Sequence, residues 1–280
     1  MTQKISYQGH AGAYSDLACE QACPAFEPLS RTTFLKAMNA VIKGEATRAM
    51  IPVDNSVAGR VADVHHLLPR TGLKIVGEHF LPIHHCLMSI ESAQIEDITH
   101  IFSHVHALPQ CERIIRKLGA EPVVYGDTAL SAQYVAEKQE KHRAAIASKQ
   151  AAKIYGLKIL QENVEDFDRN TTRFLILEKD LAVPKYEEHG FYITSLMFRL
   201  RSLPAVLYKC LGGFATNGIN LTKLESYTVD GDFDKVRFFC DLEVHIDEDR
   251  MKLALEELSF YTESIDIYGC YPAHNYRIES

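Results

Sequence analysis

Small or polar residues stand where several predicted strands end, and their types could do chemistry. These residues are Gly9, Asp54, Asn55, Ser103, Asp127 and Ser148. A further polar segment, Asn170-Thr171-Thr172-Arg173-Phe174, places a guanidinium beside two hydroxyl groups, where it could pair with a carboxylate. The segment 9–12 precedes a predicted helix, whose first N–H groups suit an anion. Together they indicate a site for a small anion, although ordinary turn and half-exposed strand residues are the simpler interpretation of each pattern alone.

Thirteen histidines raise the alternative of a metal site. The clusters are His65-His66, His84-His85 and His104-x-His106. None of them has a partner at the spacing of a zinc-peptidase or zinc-finger motif, and adjacent residues on a strand point to opposite faces. We therefore expect no metal. His104 remains a candidate polar residue because it follows Ser103 at the end of a predicted strand.

Short strands and longer helices alternate over the first 180 residues, which predicts an α/β fold with largely parallel sheets. The predicted strands are 4–7, 48–53, 100–103, 122–125, 144–147 and 172–177, with an extended stretch over 74–90. The predicted helices are 15–23, 34–42, 61–68, 108–118 and 149–155. Thr32 is the predicted cap of the second helix, and Asp127 or Thr128 caps another. Ligands of such sheets bind beyond the carboxyl ends of the strands.

The pattern changes after residues 179–190, a polar stretch that contains Pro184 and forms the candidate linker. Residues 191–271 are predicted to form a strand, a helix, two strands, a helix and a strand, the ferredoxin-like βαββαβ order. Asp230-Gly231 fits the hairpin turn between the two middle strands. We therefore expect a first domain of residues 1–180 and an α+β second domain of residues 188–280.

The composition is that of an ordinary globular protein, with 280 residues, of which 46% are hydrophobic and 24% charged. The net charge of −7 argues against nucleic acid or an anionic membrane as partner. Seven cysteines without a CxxC pair fit reduced thiols. No apolar signal segment and no run of about 18 apolar residues is recognisable, so we expect a cytoplasmic protein.

Several motifs, in order along the chain, resemble those of the prephenate dehydratase family with a C-terminal ACT domain. They are Gly9-His-Ala-Gly-Ala-Tyr-Ser15, Ile51-Pro-Val-Asp-Asn-Ser56 with Gly59, Ser103-His104 with Gln110-Cys111, Asp127-Thr128 with Ala132, residues 144–148 with Tyr155-Gly156-Leu157, and residues 170–174. The resemblance implies a catalytic domain with two lobes, like a periplasmic solute-binding protein. The chain is then expected to cross between the lobes near residues 78 and 170.

The same resemblance implies the decarboxylating dehydration of prephenate to phenylpyruvate in phenylalanine biosynthesis, without a cofactor. It makes Thr172 the catalytic residue, a hydrogen-bond donor to the departing hydroxyl group. The substrate-binding residues that it implies are Asn55, Ser56, Ser103, Gln110, Ser148, Arg173 and Phe174. The supporting residues are Asp54, Asp127, His104 and Asn170, of which Asp54 stands where the family usually has Glu.

The second domain resembles an amino-acid-sensing ACT domain in residues 207–209 and 214–226. This resemblance implies phenylalanine as effector and self-association through ACT domains into a dimer or tetramer. The effector-binding residues that it implies are Ala205, Val206, Leu207, Asn217, Asn220, Leu221 and Ser226. Residues 202–206 and Tyr227-Thr228 depart from the family's effector motifs.

Three alternatives remain open. Arogenate dehydratase, or an enzyme that accepts both arogenate and prephenate, is the nearest alternative. Arogenate carries an ammonium group where prephenate has a keto oxygen. A non-catalytic sensor of aromatic metabolites would share the fold, but a pure binder has no chemical need for Thr172 and Arg173. A solute-binding protein for transport would require a secretory signal, which the sequence does not display.

Overall fold

Two sheets hold the strands between residues 4 and 178 in the computed structural model, which describes residues 3–61, 64–229 and 232–279. The strands of the first sheet are β1 (Lys4–Gln8), β2 (Glu27–Arg31), β3 (Arg48–Asn55), β4 (Gly59–Arg60), β5 (Lys74–Pro82) and β11 (Thr171–Glu178). Their order is β2-β1-β3-β11-β5, and β4 pairs with β3. Because β1 and β3 are parallel, the polar residues that follow them lie at one edge of the sheet.

The second sheet is mixed, where the sequence predicts largely parallel pairing. Its strands are β6 (Cys86–Ser89), β7 (His100–Ser103), β8 (Glu121–Val124), β9 (Arg143–Ala147) and β10 (Lys158–Gln161), in the order β10-β6-β9-β7-β8. β7 is parallel to β8 and β9, whereas β6 is antiparallel to both of its neighbours. Along the chain, β6 follows β5 of the first sheet directly.

Capping side chains fix where several helices of this region begin. The helices are α1 (Tyr14–Ala22), α2 (Phe34–Ile42), α3 (Val64–Thr71), α4 (Glu112–Leu118), α5 (Thr128–Lys138) and α6 (Lys149–Tyr155), with 3-10 turns at Ile95–Asp97 and Leu108–Cys111. Asp127 and Ser148 cap α5 and α6 by accepting from Leu130 N and Ala151 N. The prediction that Thr32 caps α2 is wrong by one residue. Thr33 has the extended backbone and accepts from Lys36 N at 3.1 Å, as an N-cap must.

Alanine-rich packing brings α5 and α6 close to the second sheet. Ala129 and Ala132 of α5, Ala145 of β9 and Ala151 of α6 are all fully buried in one cluster. Small side chains at these positions allow a short distance between helix and strand backbones. Since β7, β8 and β9 run in the same direction, the starts of α5 and α6 lie at the same edge as the end of β7.

The βαββαβ order predicted for residues 191–271 agrees with the observed element order. The elements are β12 (Tyr192–Leu200), α7 (Val206–Thr216), β13 (Leu221–Val229), β14 (Asp232–Leu242), α8 (Asp249–Tyr261) and β15 (Thr262–Pro272), followed by α9 (Tyr276–Glu279). The sheet order is β13-β14-β12-β15, with antiparallel pairs. The turn predicted at Asp230-Gly231 lies outside the described residues. No helix that the structure describes is long and apolar enough to cross a membrane.

The chain forms two compact units, Met1–Asp63 with His79–Leu175, and Val64–Glu78 with Ile176–Ser280. The domain boundary predicted from the sequence leaves 64–78 in the first domain, whereas the structure groups this segment with the second unit. Gly269 of β15 lies so close to β5 that a Cβ atom there would overlap the carbonyl oxygen of Ile75. The segment is therefore an integral part of the second unit.

A buried ion pair fastens the C-terminal helix to β5 within the second unit. Arg277 Nε lies 2.6 Å from Glu78 Oε1, and a second guanidinium nitrogen lies 3.0 Å from Oε2. The Glu78 side chain is fully buried and that of Arg277 is 13% exposed. This bidentate geometry is the strongest that an arginine and a carboxylate form.

Candidate active site

A cavity of about 350 Å³ lies within the first unit, at the strand ends of both sheets. Six of the twelve predicted catalytic, substrate-binding and supporting residues line the cavity, namely Asn55, His104, Gln110, Asp127, Thr172 and Phe174. Thr172 and Phe174 alternate with Arg173 on β11, so they share the face that lines the cavity. The starts of α1 and α5 also reach the wall, through Ser15 and Thr128.

The amide of Asn55 has one permitted orientation. Its Oδ1 accepts from the backbone N–H groups of Val57 and Ala58, at 3.0 and 2.7 Å. The other amide atom must therefore be the nitrogen, which donates to Asn170 Oδ1 at 2.8 Å and to Thr172 Oγ1 at 2.9 Å. Thr172 thus receives a hydrogen bond from Asn55, and its own hydroxyl proton is directed to a different acceptor.

Further side chains continue from Asn170 into the interior. Asn170 Nδ2 donates to Gln110 Oε1 at 2.6 Å, and His85 Nε2 lies 3.2 Å from the same oxygen. Tyr14 Oη lies 2.7 Å from His85 Nδ1. We call the resulting series, Tyr14, His85, Gln110, Asn170, Asn55 and Thr172, the polar relay. It joins side chains from several separate segments of the sequence.

Burial keeps the inner end of the polar relay uncharged. Burial raises the pKa of Tyr14 well above its usual value, so the phenol keeps its proton at neutral pH. Burial also lowers the pKa of His85, which favours the neutral imidazole. Glu165 holds the segment in place, since its carboxylate accepts from the His85 backbone N–H and lies 2.8 Å from His84 Nδ1.

The loop before α1 is held against α6. Ser148 Oγ donates to the Gly12 carbonyl at 2.6 Å while it accepts from Ala151 N. Gly12 has φ +87°, and a Cβ atom there would lie 2.8 Å from Ala151 Cα. Asp127 joins the same region through His10 Nδ1, 2.6 Å from its Oδ2. These contacts fix the N-terminus of α1 at the cavity wall.

Arg173 is not among the residues that line the cavity, although the resemblance implies that it binds the substrate. Its side chain points to the opposite face of β11, where it lies 3.9 Å from Asp54 and 6.0 Å from the ring centroid of Phe80. Arg60 of β4 lines the cavity instead. The difference follows from strand alternation, because a strand that presents Thr172 to the cavity must turn Arg173 away.

All three predicted substrate-binding serines bind backbone groups. Ser103 is fully buried and donates to the Ile146 carbonyl at 2.7 Å, and Ser148 caps α6. Ser56 donates to the Arg169 carbonyl and accepts from Thr171 N, so it ties the ends of β3 and β11 together. The structure thus gives these serines a role in holding the site's backbone.

Sequence reasoning missed Tyr14, His85 and Arg60 as site residues. Tyr14 lies within the motif of residues 9–15, and that motif is the only signal that could have found it. His85 is considered from the sequence only as one of a pair of metal ligands. The pair divides in the structure, since His84 turns to Glu165 and His85 enters the polar relay. Among the described residues, no group of three His, Cys, Asp or Glu side chains could hold a metal ion.

The predicted effector residues fall at two places in the second unit. Ala205, Val206 and Leu207 lie at the start of α7, and Asn217, Asn220 and Leu221 lie between its end and the start of β13, with Ser226 further along that strand. The 11 residues of α7 separate its two ends by about 16 Å. The two amides are engaged within the unit, because Asn217 donates to Glu257 and Asn220 to Glu243.

Comparison with known proteins assigns the family. The family model described as prephenate dehydratase matches residues 5–182, which hold the cavity and the whole polar relay. The chain belongs to the prephenate dehydratase family. A bifunctional N-acyl-homoserine lactone acylase/prephenate dehydratase from Komagataeibacter europaeus is 46% identical, over 98% of this chain and 97% of that protein. An arogenate dehydratase/prephenate dehydratase from Arabidopsis thaliana is 39% identical, over 96% and 72%.

Solved structures of the prephenate dehydratase family share the mixed α/β architecture. A prephenate dehydratase from Arthrobacter aurescens, in complex with L-Phe, is 28% identical and superposes with a TM-score of 0.87, over 96% of this chain and 90% of that one. A protein described as a quorum-quenching acylase, GqqA, is 45% identical with a TM-score of 0.92, over 98% and 100%. Since these likenesses cover 98% and 96% of this chain, both extend beyond the family-matched region.

Proposed function

We propose that the protein is a prephenate dehydratase, a carbon–oxygen lyase that converts prephenate to phenylpyruvate. In this reaction the ring C–O bond and the bond to the ring carboxyl group break. The carboxyl group leaves as carbon dioxide, its electron pair completes the aromatic ring, and the hydroxyl group leaves as water after gaining one proton. Aromatisation makes the reaction strongly downhill, so the barrier lies in the departure of hydroxide.

The orientation of Thr172 is the observation that carries the proposal. Asn55 donates to Thr172 Oγ1, so the threonine proton is free to point into the cavity toward the leaving hydroxyl group. A positioned donor of this kind lowers the barrier because the negative charge on the leaving oxygen grows in the transition state. The proton that Thr172 gives up is replaced from solvent through the open cavity.

The remaining wall supplies complementary groups for a ring dicarboxylate. Arg60 offers a guanidinium for one carboxylate, and the first N–H groups of α1, near Ser15, suit the other. Pro52, Ile83 and Phe174 provide an apolar surface for the ring. The Asp127 carboxylate pairs with His10 and accepts from Leu130 N. Its charge therefore orients His10 and the start of α5 and does not oppose the substrate directly.

Turnover of prephenate and arogenate, supplied separately to the purified chain without metal or cofactor, tests the proposal. We expect phenylpyruvate to form from prephenate faster than phenylalanine forms from arogenate. Thr172→Ala should lower kcat by about 10²–10³-fold, as removal of a transition-state donor does. Thr171→Ala, the neighbouring threonine on the other face of β11, is the matched control and should retain activity.

Three outcomes contradict the proposal. Preference for arogenate would keep the site and change the substrate. Binding of prephenate without turnover of either compound would favour a sensor. Hydrolysis of an N-acyl-homoserine lactone without dehydration would assign this chain the other activity named for its Komagataeibacter europaeus relative.

We further propose that residues 188–280 form an ACT domain that binds phenylalanine where two copies meet. The L-Phe complex of the Arthrobacter aurescens relative supports the effector. The separation of Ala205 from Asn217 along α7 supports a shared site, since one copy alone cannot bring both ends of the helix to one small amino acid. L-phenylalanine should change the dehydratase rate and raise the melting temperature, and D-phenylalanine should do neither. Binding to a strictly monomeric protein would refute the shared site.

We also propose that the two sheets of the first unit are lobes like those of a periplasmic solute-binding protein, with crossings near residues 78 and 170. Two hydrophobic clusters, one on each face of the second sheet, support this proposal. The cavity wall, to which both sheets contribute, supports it as well. Closure of such lobes on substrate would exclude water from the reacting bonds.

A further inference from the structure

The polar relay has a direction that backbone groups impose at one end. An amide side chain or a neutral imidazole offers a donor on one atom and an acceptor on another, so each link fixes the orientation of the next. Two backbone N–H groups, of Val57 and Ala58, hold Asn55 Oδ1 as acceptor. Backbone donors cannot reverse, and the orientation of Asn55 is therefore set by the fold.

The remaining orientations follow one at a time. Asn55 Nδ2 donates to Asn170, which must present Oδ1 to it and Nδ2 to Gln110. Gln110 then presents Oε1 to His85, 3.2 Å from Nε2. An acceptor at this position requires the His85 proton on Nε2, which leaves Nδ1 to accept from Tyr14 Oη at 2.7 Å.

We propose that His85 is a positioning residue which, as the Nε2–H tautomer, holds Gln110 and, through Asn170, keeps the Asn55 amide nitrogen in place against Thr172 Oγ1. The inference rests on the proposed function for its catalytic consequence. The tautomer itself follows from geometry alone. His85 acts on the reaction through four hydrogen bonds and is not itself a proton donor to the substrate.

The inner end of the relay tolerates either direction. Tyr14 Oη lies within reach of His85 Nδ1 and also 2.9 Å from the His84 carbonyl oxygen. With the proton on His85 Nδ1, Tyr14 could accept from the ring and donate to that carbonyl. Only the outer end, at Asn55, excludes a relay in which every donor and acceptor is exchanged. A substitution at a residue between Asn55 and His85 should therefore switch the His85 tautomer.

The first test reads the tautomer directly by 15N NMR of the full chain with labelled histidine at pH 7. We expect the His85 signals of a protonated Nε2 and an unprotonated Nδ1. Asn170→Asp, which presents one carboxylate oxygen to Asn55 and the other to Gln110, should turn the Gln110 amide and move the His85 proton to Nδ1. A wild-type imidazolium, a wild-type Nδ1–H tautomer or an unchanged tautomer in Asn170→Asp would overturn the proposal.

The second test compares two substitutions that differ in reach. His85→Gln carries an amide nitrogen about as far out as Nε2, whereas the amide of His85→Asn extends only about as far as Nδ1. We expect kcat to fall roughly 10- to 100-fold in His85→Asn, with KM within about twofold of the wild type, and to recover most of its value in His85→Gln. His142→Asn, an exposed histidine paired with Glu140, is the control and should leave kcat unchanged.

Equal activity of the two His85 variants, with both folded by melting temperature, would refute the positioning role. A loss confined to KM would refute it as well, because Thr172 acts in the transition state. If the wild-type chain fails to dehydrate prephenate, the proposed function fails. The 15N tautomer of His85 and its switch in Asn170→Asp would then still decide the direction of the relay.

Discussion

Arg60 and Arg173 lie close to the candidate site and face different surroundings. Arg60 lies on the cavity wall, next to Gly59, which pairs with Asn55 across the hairpin of β3 and β4. Arg173 is buried beside Asp54 on the other face of β11. A guanidinium contributes to the binding of a carboxylate only where the ligand can reach it, so the proposed function assigns carboxylate binding to Arg60.

Exchange of each arginine for glutamine separates the two roles. Arg60→Gln should raise KM for prephenate by about tenfold or more, the value of a charge-assisted hydrogen bond. Arg173→Gln should lower the melting temperature, because it leaves Asp54 without this cation, while KM stays within about twofold. Arg116→Gln, an exposed residue of α4, is the control. An increase of KM in Arg173→Gln alone would show that Arg173, and not Arg60, binds the substrate carboxylate.

The site residues that could be predicted are those that share a motif or end a strand. Thr172 and Asn55 were found because a resemblance marks them, and Asp127 because an N-cap has a recognisable pattern. Tyr14 and His85 could not be found, since 71 residues separate them and only tertiary packing brings their side chains into contact. The orientation of Arg173 was also out of reach, because strand alternation becomes decisive only when the buried face is known.

At the scale of elements, the sequence predicts central strands and capped helices better than edges. β7 and α6 have the predicted bounds, 100–103 and 149–155. β2 and β10 were not predicted, and each is an edge strand of its sheet. β2 has the sequence Glu-Pro-Leu-Ser-Arg, without a fully buried residue, so neither alternation nor an apolar run marks it.

Gly12 carries the element-scale prediction, because it lets the loop before α1 lie against α6. Gly12→Ala should lower the free energy of unfolding by about 1–2 kcal/mol for the left-handed backbone and by about 1–3 kcal/mol more for overlap with Ala151. Gly156→Ala is the matched control. Gly156 also has positive φ, +64°, but no atom lies within 4 Å of the place that its Cβ would take, so this variant should show the backbone cost alone. Urea unfolding measures the stability of both variants. Equal losses of unfolding free energy would show that the Gly12–Ala151 contact is not tight.

At the scale of the whole molecule, the buried pair of Glu78 and Arg277 ties distant parts of the sequence into one unit. Arg277→Met leaves the Glu78 carboxylate buried without that guanidinium, so unfolding free energy should fall by about 3–5 kcal/mol. Arg199→Met breaks a more exposed pair with Glu263 and should cost about 1 kcal/mol or less. Chemical denaturation followed in both variants tests the difference, and similar losses would contradict it.

The membership of residues 64–78 in the second unit constrains how the gene can recombine with that of a relative. A single crossover in the candidate linker, 179–190, would join β15 of one parent to β5 of the other. Gly269 tolerates no Cβ against Ile75, and Lys74 Nζ donates to the Ile267 carbonyl at 3.1 Å, so the two strands must suit each other. Chimaeras that exchange 64–78 together with 176–280 should therefore survive more often than those that exchange the C-terminal segment alone.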